Sequence, residues 1–314
     1  MAAVWTATNN LNIARYFHMG CGTVDAGLVV GGAGGFNASG TCAEWNGVSW
    51  TAGGGLSGDF QRGGAGGTQG AAFVAAGFPS GPANPQTACE EYDGATWSSG
   101  GSCSIARQQN MGFGTLAAGA ICGGIGIQPT YTRLQSTEEY SSGTWGAGGS
   151  MSTISYSSQG GGTQSDAVMG SGYNASNIFT VTTEEYSSGT WGAGGDTNKW
   201  MLEGAGIVGG TSSSSLIFNG NNEGSYDGIT ESYNGSTWTN QNVCNTKQRM
   251  NAGLGTSSTS AITCGGENTT NVSEEYAEAA GPTGIAGVGG VSAASIGSLC
   301  SLDWANVASV SGVS

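Results

Sequence analysis

Short apolar runs recur along the chain, each closing on glycine: GLVVGG, AAFVAAG, GAICGG, DAVMGSG, SLIFNG and AITCGG. Each is only a few residues long, and glycine and β-forming residues interrupt every window, so the pattern predicts strands rather than helices. A Gly-Thr pair precedes each run, with its threonine at 23, 68, 115, 163, 211 and 256. An acidic-aromatic segment follows, then a piece ending in tryptophan: CAEWNGVSW, CEEYDGATW, TEEYSSGTW twice, and TESYNGSTW. In these an aromatic stands five residues before Trp50, Trp97, Trp145, Trp191 and Trp238, whose spacings are 47, 48, 46 and 47. Two unrelated motifs in one phase define an internal repeat of 45–48 residues. The most alike copies spell TEEYSSGTWGAGG identically at Thr137–Gly149 and Thr183–Gly195.

Each unit reads as four short strands. The first leads into Gly-x-Gly-Thr, the second is the apolar run, the third is acidic-aromatic and the fourth carries tryptophan. WNG, YDG and YNG between the last two are hairpin turns, because Asn-Gly and Asp-Gly accept positive φ. Four-stranded units of this length, repeated radially, predict a β-propeller. Glycine suits the innermost strand, where backbones crowd at the axis, and tyrosine and tryptophan suit the wider gap between blades. There are six Gly-Thr pairs and six acidic-aromatic segments, the last being SEEYAEAAG, but no tryptophan follows Tyr276 on the period. Trp5 stands 45 residues before Trp50, so the N-terminal strand is expected to complete blade six and close the ring. The fold expected is all-β, a six-bladed propeller over 1–280 with a Gly/Ala/Ser-rich C-terminal extension over 281–314.

Composition narrows the function classes. Only 9% of the 314 residues are charged, 61 are glycine, and the net charge is −14. Nine tryptophans, ten tyrosines and eight phenylalanines speak against simple disorder. An acidic surface repels phosphate, so no nucleic-acid partner is expected. No apolar run of membrane-spanning length is present, and the start MAAVWTATNN has no signal-peptide pattern, so no membrane insertion is expected. The cysteines occupy repeat slots held by serine, threonine or valine in other units, which favours free, buried thiols over disulfides.

Candidate chemistry is sparse. The chain has one histidine, His18. No His, Cys or carboxylate cluster has zinc spacing, and no cofactor is expected. The pairs Glu90-Glu91, Glu138-Glu139, Glu184-Glu185 and Glu274-Glu275 resemble catalytic carboxylates in type only. Neighbours on a strand face opposite ways and cannot converge on one substrate. They are expected on a solvated outer strand that discourages edge pairing, with weak calcium binding between blades as the lesser alternative. YDGATW is superficially similar to the Asp box of sialidases, but only this unit has the aspartate and no arginine triad stands out. Arg15 and Arg107 share the slot IAR, with Arg249 close to it, and read as repeat features. GGAGG is not a phosphate loop, since no lysine follows and no helix starts there.

A diglycine, an acidic-aromatic step and then tryptophan is the kelch pattern, and residues 1–280 resemble kelch repeats. The diglycine is intact at Gly31-Gly32, Gly123-Gly124 and Gly265-Gly266 and replaced elsewhere. The Gly/Ser/Thr-rich style, with ARY, GCGT and EEY…W, resembles kelch-like proteins of tailed, especially marine, bacteriophages. That resemblance implies a non-enzymatic virion protein in a tail fibre or appendage, made in the host cytoplasm. Its partners would be other virion proteins or further copies of itself, and a host-surface glycan or protein. The alternatives are a purely structural or capsid-decorating virion protein and a cellular kelch adaptor. A copper-radical oxidase on this fold needs two histidines, which the chain lacks. Binding is expected at the varied loops joining strands two and three, which display Phe36, Phe78, Tyr131, Arg133, Tyr173, Phe179 and Tyr226. The extension is expected to dock on a partner through Leu302 and Trp304.

Overall fold

The computed structural model describes residues 3–34, 40–79, 84–127, 130–222, 224–268 and 270–278. Within them, six four-stranded antiparallel sheets follow one another along the chain. Blade one runs Met19–Gly22, Gly27–Val30, Cys42–Trp45, Trp50–Ala52, and blade two Gly64–Thr68, Ala71–Ala75, Ala88–Tyr92, Trp97–Ser102. Blade three runs Met111–Gly114, Gly119–Cys122, Ser136–Ser141, Thr144–Ser150, and blade four Gln159–Thr163, Asp166–Tyr173, Phe179–Ser187, Thr190–Ala193. Blade five runs Ala205–Gly206, Ser215–Phe218, Thr230–Tyr233, Trp238–Asn240. Blade six is composite: Ala252–Ser257, Ser260–Cys264 and Ser273–Glu278 are completed by Ala3–Ala7. The chain is a six-bladed β-propeller closed by its N-terminal strand. Trp5 is 5% exposed, lies edge-on to Phe218 of blade five at 4.9 Å, and donates from Nε1 to Thr230 Oγ1 at 2.9 Å. Phe36, Leu302 and Trp304 lie outside the described residues.

The repeated tetrapeptide explains how blades hold one another, because strand side chains alternate between faces. In TEEY, the threonine and second glutamate face the next blade; the first glutamate and the tyrosine face the preceding side. Thr137 accepts the next blade's Trp191 indole at 2.8 Å, and Glu139 accepts the Tyr186 hydroxyl at 2.5 Å. The same pair of bonds recurs from Trp238 to Thr183 at 2.8 Å and from Tyr233 to Glu185 at 2.6 Å. The first glutamate holds the loop entering its own blade. Glu90 accepts from Ser57 and Gly58, Glu138 from Ser104 and Ile105, Glu184 from Ser152 and Thr153, and Glu274 from Asn245 and Thr246. These first glutamates are buried. The expectation of a solvated outer strand is therefore corrected: the four pairs sit on the third strands of blades two, three, four and six, and their first glutamates serve as internal fasteners. The pair still diverges, as alternation requires.

Blade one departs from this scheme. Ala43 replaces the first glutamate, and Leu11 of the incoming loop is buried in the same apolar cluster. An apolar contact thus takes the place of the carboxylate tether. Arg107, itself buried, binds the buried Glu138 at 2.9 Å and the carbonyls of Gly123 and Ser136. Its counterpart Arg15 is equally buried but finds the carbonyls of Gly31 and Thr41 in place of a carboxylate. Glycine is obligatory where innermost strands meet: a Cβ on Gly112 would lie 2.4 Å from the Ala65 nitrogen, and one on Gly253 2.3 Å from the Gly206 oxygen. Cysteines 21, 42, 89, 103, 122, 244 and 264 are free and buried.

Candidate functional site

The loop entering each blade ends in one residue held in the left-handed region. These are Phe17, Arg62, Gln109, Ser157, Glu203 and Met250, with φ between 53° and 59°. None is glycine, although a side chain there costs about 1 kcal/mol or more. The turn aims each backbone N–H at the carbonyl of the equivalent residue one blade back. Arg62 donates to Phe17, Gln109 to Arg62, Ser157 to Gln109, Glu203 to Ser157, Met250 to Glu203 and Phe17 to Met250, at 2.5–3.3 Å. A closed ring of six hydrogen bonds thus encircles the axis at one mouth of the propeller.

Inside the ring lies a well of about 100 Å³, lined by these six residues and by His18, Gly63, Asn110, Ser158, Gly204 and Asn251. Several of its buried polar atoms lack a protein partner: His18 Nδ1, both amide atoms of Asn110, Ser157 Oγ and Asn251 Oδ1. Such groups are costly in a dry interior, so the well is built for water or for a polar ligand. His18 donates from Nε2 to the Cys264 carbonyl at 3.0 Å. Burial, then the nearby Arg15 charge, lower its pKa to about 3, so the ring is neutral and Nδ1 offers a lone pair.

Charge is concentrated on one side of the mouth. Arg249 binds Glu203 at 3.3 Å and Glu267 at 2.7 Å, and Glu267 also accepts from the Tyr226 hydroxyl. Burial raises the Glu203 pKa, with Arg249 and Arg62 opposing. Arg62 lies over the Phe17 ring, 3.7 Å from its centroid. Burial lowers its pKa, with Glu203 opposing.

The chain is similar to the solved structure of YjhT. The TM-score is 0.69 at 11% identity, covering 85% of this chain and 95% of that one, and the likeness is one of fold. No protein-family model and no curated protein matches the sequence.

Of the expected loop residues, Phe78 and Tyr131 share one cleft beside the well. It measures about 480 Å³ and is also lined by Phe17, Arg62 and Gln109 of the ring, with Tyr16, Gln61, Gln108 and Ile125. Tyr173 and Phe179 are instead spent on each other. Tyr156, Tyr173, Phe179 and Trp200 form a continuous stack with centroids 5.1–5.5 Å apart. Arg133 binds Asn177 at 2.7 Å, as does the Tyr156 hydroxyl. Tyr226 belongs to the charged cluster on another side. Sequence reasoning missed the ring itself. A signal was present: five of its members stand six residues before a Gly-Thr threonine, in a slot that varies while its surroundings repeat. Among the described residues, no group of three or more His, Cys, Asp or Glu is placed to hold a metal ion, and no helix is long and apolar enough to cross a membrane.

Proposed function

We propose that this chain is a non-enzymatic recognition protein of a tailed-phage virion, carried in a tail fibre or appendage. It meets the host surface through the face around the axial well. One observation supports this reading above the others. Six different side chains project from one strained backbone position around a common axis, where a scaffold kept only for stability would favour glycine. The varied strand two–three loops flank the same mouth, and variation on a repeated frame is the usual mark of a binding surface. The groups in the well suit binding better than proton transfer: His18 is neutral, Glu203 is tied to Arg249, Arg62 is packed over Phe17, and the remaining polar side chains are amides and hydroxyls. The kelch-like repeats and the Gly/Ser/Thr-rich style supply the virion context.

The test uses particles of the phage that encodes the chain. The protein is expected in purified particles by mass spectrometry, and an excess of the soluble protein should slow their adsorption to host cells. Its absence from the particles would end the virion reading. Presence without competition would leave a structural or decorating role.

A further inference from the structure

We propose that the cleft beside the axial well binds a neutral sugar ring of a glycan, stacked on Tyr131 and Phe78 and hydrogen-bonded by Gln108. This rests on the host-facing reading above and names its ligand class.

Size separates the two cavities. The cleft, at about 480 Å³, falls within the ~300–1,000 Å³ of small-ligand sites. The well, at about 100 Å³, has room for a few waters at ~30 Å³ each. A sugar therefore fits the cleft, with water in the well beside it.

The chemistry of the lining points to an uncharged, hydroxyl-rich ligand. A pyranose has apolar C–H faces and an equator of hydroxyls that both donate and accept. Aromatic rings cover the faces, and amides are the side chains that offer both a donor and an acceptor to the equator. Tyr131 is 40% exposed, and its φ of 42° holds a bulky residue in the left-handed region at the cleft rim. Phe78 is fixed from below, because its backbone exchanges two hydrogen bonds with Gln61 at 2.7 and 3.0 Å. Gln108 exchanges two at 2.9 Å with Ile125. The Gln108 amide thus stands on a rigid frame.

Among the described residues, no carboxylate lines the cleft. The one cation among the described lining residues, Arg62, is packed over Phe17, and Glu203 offsets its field. An acidic polymer would also meet the −14 charge of the chain. Arg62 and Gln109 border the well as well as the cleft. Waters held by the unpartnered atoms of Asn110 and His18 can bridge across them to the sugar.

The experiment is titration of the full-length protein, by calorimetry and saturation-transfer NMR, with two sets of tetrasaccharides. The neutral set comprises glucose, galactose, mannose and N-acetylglucosamine tetramers; the acidic set comprises uronate tetramers. A neutral tetramer is expected to bind, with every uronate weaker. Tyr131→Asn, which keeps a residue tolerant of the left-handed region, should weaken binding about tenfold. Phe78→Leu should weaken it too, whereas Ile178→Asn, on an exposed loop of blade four, should not. Tighter uronate binding overturns the proposal. So does folded protein that binds none of the neutral tetramers at millimolar concentration, or unchanged affinity in Tyr131→Asn. Particle adsorption is scored separately: competition without sugar binding removes the sugar and keeps the host-facing role, and sugar binding without competition does the reverse.

Discussion

The Trp191 indole donates to the Thr137 hydroxyl across a blade boundary, 2.8 Å away and 54 residues earlier. Two other boundaries carry Cys42 and Cys89 in the threonine slot, and there the buried nitrogens of Trp97 and Trp145 have no hydrogen-bond partner at normal geometry. Burial raises both thiols, so they stay protonated and are weak acceptors. Cys89→Thr is expected to stabilise the protein by about 0.5–1.5 kcal/mol, the net worth of one buried hydrogen bond. Urea denaturation of the single variant checks it, and Thr137→Cys should lose a similar amount.

The first glutamates should rank by what their removal strands. Glu184→Ala leaves two loop N–H groups and a hydroxyl without their acceptor. Glu138→Ala does the same and also leaves Arg107 buried without its carboxylate. Removing one partner of a buried pair typically costs about 3–5 kcal/mol, so Glu138→Ala should be the more damaging. Adding Arg107→Leu to Glu138→Ala should recover part of the loss, measured as a double-mutant cycle.

Ring closure rests on Trp5. Trp5→Ala removes its packing on Phe218 and Tyr276 and its bond to Thr230. The expected loss is about 3–5 kcal/mol. At ~2–4 °C per kcal/mol for a domain of this class, melting should fall by roughly 6–20 °C. Calorimetry of the variant, and of a chain lacking residues 1–8, gives the answer.

The left-handed ring predicts an unusual substitution pattern. Ser157 has φ 53° and a buried, unpartnered hydroxyl. Ser157→Gly should therefore keep or raise stability, by up to about 1 kcal/mol, despite the entropy glycine gives the unfolded chain. Ser157→Val should lose more than about 1 kcal/mol, because a β-branched residue is strained at positive φ. Thermal melts of the two variants side by side make the comparison.

His18 should make the protein acid-sensitive. Folded, it resists protonation down to about pH 3; unfolded, it takes a proton near 6.5. Between these values the unfolded state binds more protons, so stability falls as pH drops from about 6.5 toward 3. Above 6.5 the residue adds no pH dependence. The difference in stability between the parent and His18→Asn, followed from pH 7 to 4, should shrink in the acid direction.

Fold and repeat number were legible because spacing is covalent. Gly-Thr pairs, apolar runs and tryptophans recur along the chain whatever the chain does in space, and Trp5 falls on that period. What TEEY does was only half legible. Alternation on a strand told that Glu138 and Glu139 diverge, but not that one is buried beneath an incoming loop and the other receives a tyrosine. That depends on which neighbour stands opposite. The ring of Phe17, Arg62, Gln109, Ser157, Glu203 and Met250 was hidden for a different reason. Its members share no chemistry, and what unites them is a backbone angle and a bond to the next blade. Tyr131 and Tyr173 looked equivalent as loop aromatics, yet one reaches a cleft and the other is stacked against its own loop. The sequence alone therefore determined the blades, their number and their closure, which follow from local pattern and period. Only the tertiary structure decided which polar groups were left without partners around the axis, because that depends on six distant segments meeting at one point.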